Sequence, residues 1–227
     1  MTGRFITLEG GEGTGKSTQA RLLAIALRAR GQRVLITREP GGSPRAEAIR
    51  AFLLTGRAER HGPFGEAVLF AAARIDHLRS RIEPALERGD WVVCDRFSDS
   101  TRVYQGVIGG LDLGLLDALD RAVLGATRPD LTLILDCPAE IGLARAASRR
   151  DGAGAPDRFE RAPEDVHRRI REAFLDIARA EPGRCAVVDA AQDEDSVHDA
   201  LLQAVTERMS NGAAPRSTAT VPEQAAS

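Results

Sequence analysis

Lysine is almost missing from this chain: thirty arginines carry the positive charge, and a single lysine stands among them. Aromatic residues are also scarce, at 4%, with one tryptophan (Trp91) and one tyrosine (Tyr104). Each shortage excludes something. Lys and Arg together number 31 against 33 Asp and Glu, a formal net charge of −2. No global basic field therefore advertises nucleic acid, and no nucleic-acid partner is expected. No run of eighteen apolar residues occurs, so no spanning helix and no membrane partner are expected. From Met1 the chain passes straight into an apolar strand, without the basic-then-apolar pattern of a secretory signal. The cysteines are three (Cys94, Cys137 and Cys185), each in or at the end of an apolar run. An odd count so placed reads as small buried residues of a reducing compartment, and a cytoplasmic location is expected. The four histidines (His61, His77, His167 and His198) have no zinc-type spacing, and solvated surface positions are expected for them.

What is present is concentrated around that lysine. Lys16 closes Gly10-Gly11-Glu12-Gly13-Thr14-Gly15-Lys16-Ser17, the pattern G-x-x-x-x-G-K-[ST] of a phosphate-binding loop, and Thr18 follows it. A compact ammonium on a flexible stem reaches terminal phosphates from inside a tight glycine turn, where a planar guanidinium is too wide. The context agrees. Phe5-Ile6-Thr7-Leu8 reads as a buried strand, and Lys16–Arg30 carries Leu22, Leu23, Ala26 and Leu27 at helical spacing before Gly31. In that arrangement backbone N–H groups and the helix dipole point at phosphate. The Ser17 hydroxyl is a candidate ligand for Mg²⁺ beside a bound nucleoside triphosphate.

Five short apolar runs read as strands: Arg4–Glu9, Arg33–Thr37, Trp91–Asp95, Leu131–Asp136 and Arg184–Asp189. Between and after them lie helical patterns at Pro44–Leu54, Gly65–Arg88, Leu113–Leu124, Ala139–Arg150, Pro163–Ala180 and Glu194–Met209, with Pro84 expected to kink the long one. Strands alternating with helices predict an α/β fold with a five-stranded parallel sheet and helices on both faces. Ligands of such sheets gather at the carboxyl ends of the strands, which sets Glu9–Gly11, Arg38–Gly42, Asp95–Ser100 and Asp136–Pro138 along one rim. Residues 1–209 are expected to form one domain, with a mobile lid at about 145–160 around the Gly- and Ala-rich Asp151–Pro156. Residues 210–227 have the composition of a disordered tail.

A phosphate loop does not name a reaction. A guanine-reading N-K-x-D motif is impossible, because the only lysine is already used. Other features suggest a second, acceptor site. Asp95-Arg96 ends the third strand; the carboxylate could hold Mg²⁺ through water and the guanidinium a phosphate, the alternative being an ordinary surface ion pair. Thr37-Arg38-Glu39-Pro40-Gly41-Gly42 is either a substrate loop or a plain turn, and Arg50 on the next helix is another anion-binding candidate. Phe70 and Arg74 share a helix face, as a platform for a planar base with a donor at its edge, although a lone Phe70 is more often core. Tyr104-Gln105-Gly106 lies just beyond the rim.

Taken together and in order, LEGGEGTGKST, TREPGG, LFAAAR, DRFSDST and YQG resemble the thymidylate kinases, over Arg4 to about Val205. The resemblance implies a P-loop NTPase fold, a homodimer, and transfer of the γ-phosphoryl of MgATP to dTMP, giving dTDP and ADP. Carried over by position, Gly10 to Thr18 cradle the ATP phosphates, and Ser17 and Asp95 serve Mg²⁺. Glu12 accepts from the deoxyribose 3′-hydroxyl, Phe70 stacks on thymine, Arg74 bonds its O4 and Ser100 meets N3–H. Tyr104 crowds the sugar 2′ position, Gln105 lines that pocket, Pro40 fills the methyl side, and Arg96 and Arg50 hold the acceptor phosphate. Lys16 and Arg96 are the expected catalytic cations. The family divides over one further arginine, carried either in the phosphate loop at the position of Gly13 or on the lid. With glycine in the loop this chain resembles the lid type, with Arg145, Arg149, Arg150 and Arg158 as candidates and Arg149 and Arg158 favoured. Two departures stand out: the lid is unusually small and glycine-rich, and Ala71 stands where related chains often have tyrosine. Another P-loop nucleoside or nucleotide kinase, or a non-catalytic nucleotide-binding module, are the alternatives; intact Lys16, Ser17 and Arg96 argue against the second.

Overall fold

The structure, a computed structural model, describes residues 3–148 and 159–210. Five strands form one all-parallel sheet: β1 (Phe5–Glu9), β2 (Val34–Arg38), β3 (Trp91–Asp95), β4 (Leu131–Asp136) and β5 (Cys185–Asp189), in the order β2-β3-β1-β4-β5. Each lies within one residue of its expected span, because each is a short continuous apolar run; β1, β3 and β4 are buried, while the edge strands β2 and β5 are partly exposed. Alternation along β1 sends Ile6 and Leu8 to one face and Phe5 to the other. On the first face they meet Leu23 and Leu27 of α1 (Lys16–Ala29) and helix α9 (Glu194–Ser210), through Val197 and Leu201. On the second, Phe5 meets Leu78, Ile82 and Phe97, while Ile134 meets Phe174 and Ile177 of α8 (Glu164–Ala180).

Helix α2 (Pro44–Leu54) follows β2, and the expected Gly65–Arg88 helix is three pieces. Helix α3 (Gly62–His77) runs into a π-helical turn (Leu78–Ile82) and then α4 (Glu83–Glu87). Pro84 has no N–H for the Ser80 carbonyl, and the widened turn directly before it absorbs that defect. After β3 comes a helical stretch that periodicity missed: α5 (Ser98–Thr101) continued by a π-helical segment (Arg102–Ile108). Its first turn is capped from another strand, since the Glu9 carboxylate accepts the Phe97 N–H at 2.7 Å and the Ser100 N–H at 3.3 Å. No local pattern reveals such a cap. Helix α6 (Leu113–Leu124) starts at Asp112, whose side chain accepts the Leu115 N–H. Helix α7 (Ala139–Ser148) leads to residues 149–158, so Arg149, Arg150, Arg158 and Asp151–Pro156 lie outside the described residues, as do 211–227.

Two further expectations meet the structure. The cysteines are free and buried, as expected. The histidine expectation fails at two positions: His77 and His167 are buried. His77 lies between two polar partners, Glu39 Oε1 at 3.0 Å from Nδ1 and Thr37 Oγ1 at 2.6 Å from Nε2, and these take the place of water. Among the described residues no helix is long and apolar enough to cross a membrane.

Candidate active site

The carboxyl ends of β1, β2 and β3 open into a cavity of about 270 Å³. Register explains the convergence, because Leu8 and Arg38 both pair with Asp95 at the sheet edge where the chain leaves each strand. All nine acceptor-side candidates (Glu12, Pro40, Arg50, Phe70, Arg74, Arg96, Ser100, Tyr104 and Gln105) line this cavity, with Lys16, Ser17 and Asp95 beside them.

At the loop end, Lys16 is buried and donates to the Gly11 carbonyl at 2.6 Å and to Thr14 Oγ1 at 3.3 Å. Burial, with Arg96 close by, lowers its pKa to about 8. The Ser17 hydroxyl donates to the Asp95 carboxylate. Among the described residues no group of three or more His, Cys, Asp or Glu side chains could hold a metal. A hydroxyl beside one carboxylate suits an ion that keeps most of its shell from water and phosphate, which is how Mg²⁺ binds in such loops.

Arg96 is the one non-glycine residue among those described with positive φ, at 66°. That strain is of order 1–3 kcal/mol, and it is held by specific bonds. The Arg96 N–H donates to the Leu8 carbonyl at 2.9 Å, while its guanidinium donates to Glu12 at 2.6 Å, to the Gly10 carbonyl at 3.1 Å and to Ser100 Oγ at 3.2 Å. The reading of Asp95-Arg96 as an ordinary surface pair is thereby removed, since Arg96 points into the cavity rather than across the strand end. Burial disfavours its charge, but Glu12 and its neighbours more than compensate and raise its pKa. Glu12 responds in kind. Burial pushes its carboxyl up, Arg96 and Lys16 pull it further down, and it settles at about 2. Tyr104 donates to the same Glu12 oxygen at 2.8 Å, lies under Arg96 at 5.3 Å and meets Phe159 edge-on at 5.2 Å.

The end of the cavity away from the phosphate loop is built on Arg74. Its Nε donates to Glu39 at 2.7 Å and one terminal nitrogen to Thr101 at 3.1 Å, with the Phe97 ring 5.1 Å away. Phe70 is half-buried on the same helix face. Arg50 donates to the Pro40 carbonyl at 2.7 Å, so it also braces the β2 loop, and Gln105 donates to Glu66 at 3.2 Å. Gly42, with φ 83°, is obligatory there, because a Cβ would sit 2.4 Å from His77 Nε2 and 2.5 Å from Thr37 Oγ1.

Some contributors carried no signal of their own in the sequence. Glu9 is fully buried; burial first and then Asp99 lift its pKa to about 7, and it accepts from Ser100 Oγ at 2.7 Å. Glu39 stands inside TREPGG, so the motif flagged the loop without flagging the acid. Thr101 likewise closes DRFSDST without being singled out, and Asp120 and Phe159 carry no signal in the sequence. Arg145, one of the lid candidates, is already committed: it donates to the carbonyls of Ala190, Ala191 and Gln192 at 2.5, 3.0 and 3.0 Å.

Known proteins are similar to this chain along nearly its whole length. The thymidylate kinase family model matches residues 8–201. A thymidylate kinase of Rhodopseudomonas palustris is 58% identical over 210 residues, 92% of this chain and 91% of that one. A thymidylate kinase of Bradyrhizobium diazoefficiens is 54% identical over 207 residues, 91% of this chain and 90% of that one. The crystal structure of a thymidylate kinase from Ehrlichia chaffeensis superposes with a TM-score of 0.73 at 31% identity, covering 90% of this chain and all of that one. With the phosphate loop, the Arg96 turn and the Arg74 pocket in one cavity, and with these similarities along nearly its whole length, the chain belongs to the thymidylate kinase family.

Proposed function

We propose that the cavity is the acceptor site of a thymidylate kinase that transfers the γ-phosphoryl of MgATP to dTMP, giving dTDP and ADP. One observation carries the residue roles: the nine acceptor-side side chains share a single cavity with Lys16 at its phosphate end.

The acceptor oxygen belongs to a phosphate that is already an anion, so positioning and charge neutralisation supply most of the catalysis. Arg96 spends its fork on Glu12 and a carbonyl, partners that an incoming phosphate replaces at similar distance. Lys16 leaves the Gly11 carbonyl for the donor phosphates, whose negative charge favours its protonated form and raises its pKa again. Glu12, ionised far below neutral pH, accepts from the 3′-hydroxyl. Tyr104, tied to Glu12, fills the space a 2′-hydroxyl needs. Ser100 donates its own proton to Glu9 and receives Arg96, which leaves a lone pair for thymine N3–H. Phe70 stacks on the ring, Pro40 backs its methyl, Gln105 closes the sugar side, and Arg50 joins Arg96 at the phosphate. On the far side of the phosphate loop, a hollow of about 290 Å³ lined by Gly13, Thr18, Arg145 and Gln192 takes the base of ATP. Ser17 and Asp95 are the residues that would hold Mg²⁺, which when bound would offset the negative charge of the donor phosphates. Arg149 and Arg158 remain the candidates for the lid cation.

Purified protein with ATP should turn over dTMP far faster than dAMP, dCMP, dGMP or UMP. Equal rates across that panel would remove the thymine assignment.

The protein is further proposed to act as a homodimer in a reducing, cytoplasmic setting, consistent with its free buried cysteines. Helices α3 and α6 and segment 102–108 pack on one another. Together they expose Phe64 (54%), Val68 (43%), Val107 (43%), Leu113 (45%) and Leu115 (44%). So many large apolar side chains on adjoining elements favour an isologous contact with a second copy. Light scattering at micromolar concentration should give about twice the chain mass of 24.3 kDa, and a particle of the single mass would contradict the dimer.

A further inference from the structure

We propose that Asp120 is a positioning residue for base selectivity, orienting from behind the cavity wall the Arg74 guanidinium that reads the acceptor base. The inference rests on the thymine-site reading above. Arg74 on α3 has two strong anchors, Glu39 on Nε and Thr101 on one terminal nitrogen. Those leave the other terminal nitrogen, NH1, undetermined. Its facing group is Asp120 on α6, with Oδ1 at 3.5 Å. At that distance the contact is an ion pair rather than a strong hydrogen bond, so it steers orientation without locking it.

Asp120 is a wall between two spaces. It faces Arg74 on one side, and on the other it lines a second cavity of about 200 Å³. That cavity gives a buried carboxyl a route for protons, and its charged lining sets the balance. Asp99 on α5 repels the carboxylate, whereas Arg74, Arg102 in segment 102–108 and Arg128 before β4 attract it. Asp117 and Arg121 on its own helix also line the cavity, as do Glu181 and Arg184. Arg184 is occupied by Asp99, at 2.7 and 3.1 Å, and by Glu181, at 2.9 Å. Burial is the largest influence and lifts Asp120 to about 6, with Arg74 pulling down and Asp99 adding to the lift. The sign follows directly. Above about 6 the carboxylate is ionised and holds NH1; as pH falls through that value it becomes neutral and releases it.

The test is the ratio of kcat/KM for dTMP to that for 5-methyl-dCMP. The latter carries a donor instead of an acceptor at position 4, facing Arg74, and an acceptor instead of N–H at position 3, facing Ser100, so the contribution of Arg74 is read from the difference between parent and Asp120→Asn. The substrate phosphate and the fraction of folded enzyme cancel in that ratio. For the unmodified enzyme the ratio should fall by about fivefold, the scale of one modest ionic contact, between pH of about 7.5 and about 5.5. Glu9, with its pKa at about 7 and bonded to the Ser100 hydroxyl that meets position 3, titrates in both enzymes. Asp120→Asn should therefore show the lowered ratio already at pH of about 7.5, a smaller further fall than the parent's, and an unchanged KM for ATP. A pH-independent ratio in the unmodified enzyme overturns the inference without any variant, so a poorly folding D120N does not weaken the test. An Asp120→Asn ratio and profile like the parent's also overturns it, while the thymine reading survives through the parent's own preference. If the parent shows no preference for dTMP, the thymine reading falls and this inference with it.

Discussion

Lys16→Met is expected to abolish phosphoryl transfer, by at least about 10³ in kcat, while leaving the fold as stable as before or more so. The two halves have one cause. Lys16 is the only ammonium of the chain and is buried. Burial, with Arg96 beside it, depresses its pKa from 10.5 to about 8. A cation whose folded pKa is depressed opposes folding where it is charged, because the unfolded chain binds the proton more tightly. At neutral pH the shift corresponds to ~3 kcal/mol. Methionine matches the apolar stem and removes that penalty, so the melting temperature without nucleotide should stay level or rise. The polyphosphate is what makes the penalty recoverable in the parent: it supplies the negative charge that the Gly11 carbonyl answers only in part. ATP should therefore raise the melting temperature of the parent strongly and that of the variant weakly. Turnover and thermal shift with and without ATP measure both halves. A variant within tenfold of the parent in kcat would take Lys16 out of the catalytic set.

The same site shows what can be read from a sequence and what cannot. The phosphate loop is legible because its chemistry needs fixed residue types at fixed spacing, with Lys16 at a position arginine cannot serve. The strands are legible because burial on both faces leaves a contiguous apolar run, as in Phe5-Ile6-Thr7-Leu8. Eight of the acceptor residues were reached through five short motifs in register and Arg50 through its place on the helix after the β2 loop, and the cavity brings together all nine. What stayed hidden acts across long separations. Glu39 braces Arg74 and His77 from 35 and 38 residues away, and Glu9 caps α5 from 88 residues away. A buried carboxylate that satisfies distant donors leaves no periodicity behind; in sequence it is one acid among many. The histidines failed for the same reason. His77 is indistinguishable from a surface histidine until Thr37 and Glu39 are seen to bracket its ring. Burial of polar groups is set by partners, and partners are set by the fold.

Gly13→Arg is the second large effect expected, and its direction opposes a simple transplant. The family can carry its extra arginine at this position of the loop, so the substitution looks like a gain of a catalytic charge. The packing here forbids it. Gly13 has φ 70°, a conformation that costs an L side chain roughly 1–2 kcal/mol. A Cβ on it would lie 1.8 Å from the Gly142 carbonyl oxygen and 2.5 Å from the Gly142 carbonyl carbon, both backbone atoms of α7. Gly142 cannot yield by shrinking, and it is itself pressed on the loop, since a Cβ there would lie 2.4 Å from the Glu12 carbonyl oxygen. Arginine at 13 must therefore push α7 away or unwind the loop that presents Lys16 and Glu12. The expected result is a fall in kcat/KM of at least about 10², and a melting temperature lower by about 5 °C or more, given roughly 2–4 °C per kcal/mol for a chain of this size. Gly142→Ala should move both quantities the same way by smaller amounts, because it strains the same contact from the α7 side. A Gly13→Arg enzyme with parental turnover and melting temperature would show that loop and helix can separate freely. If they cannot, the result supports the proposal that the further guanidinium is Arg149 or Arg158 rather than a residue of the loop.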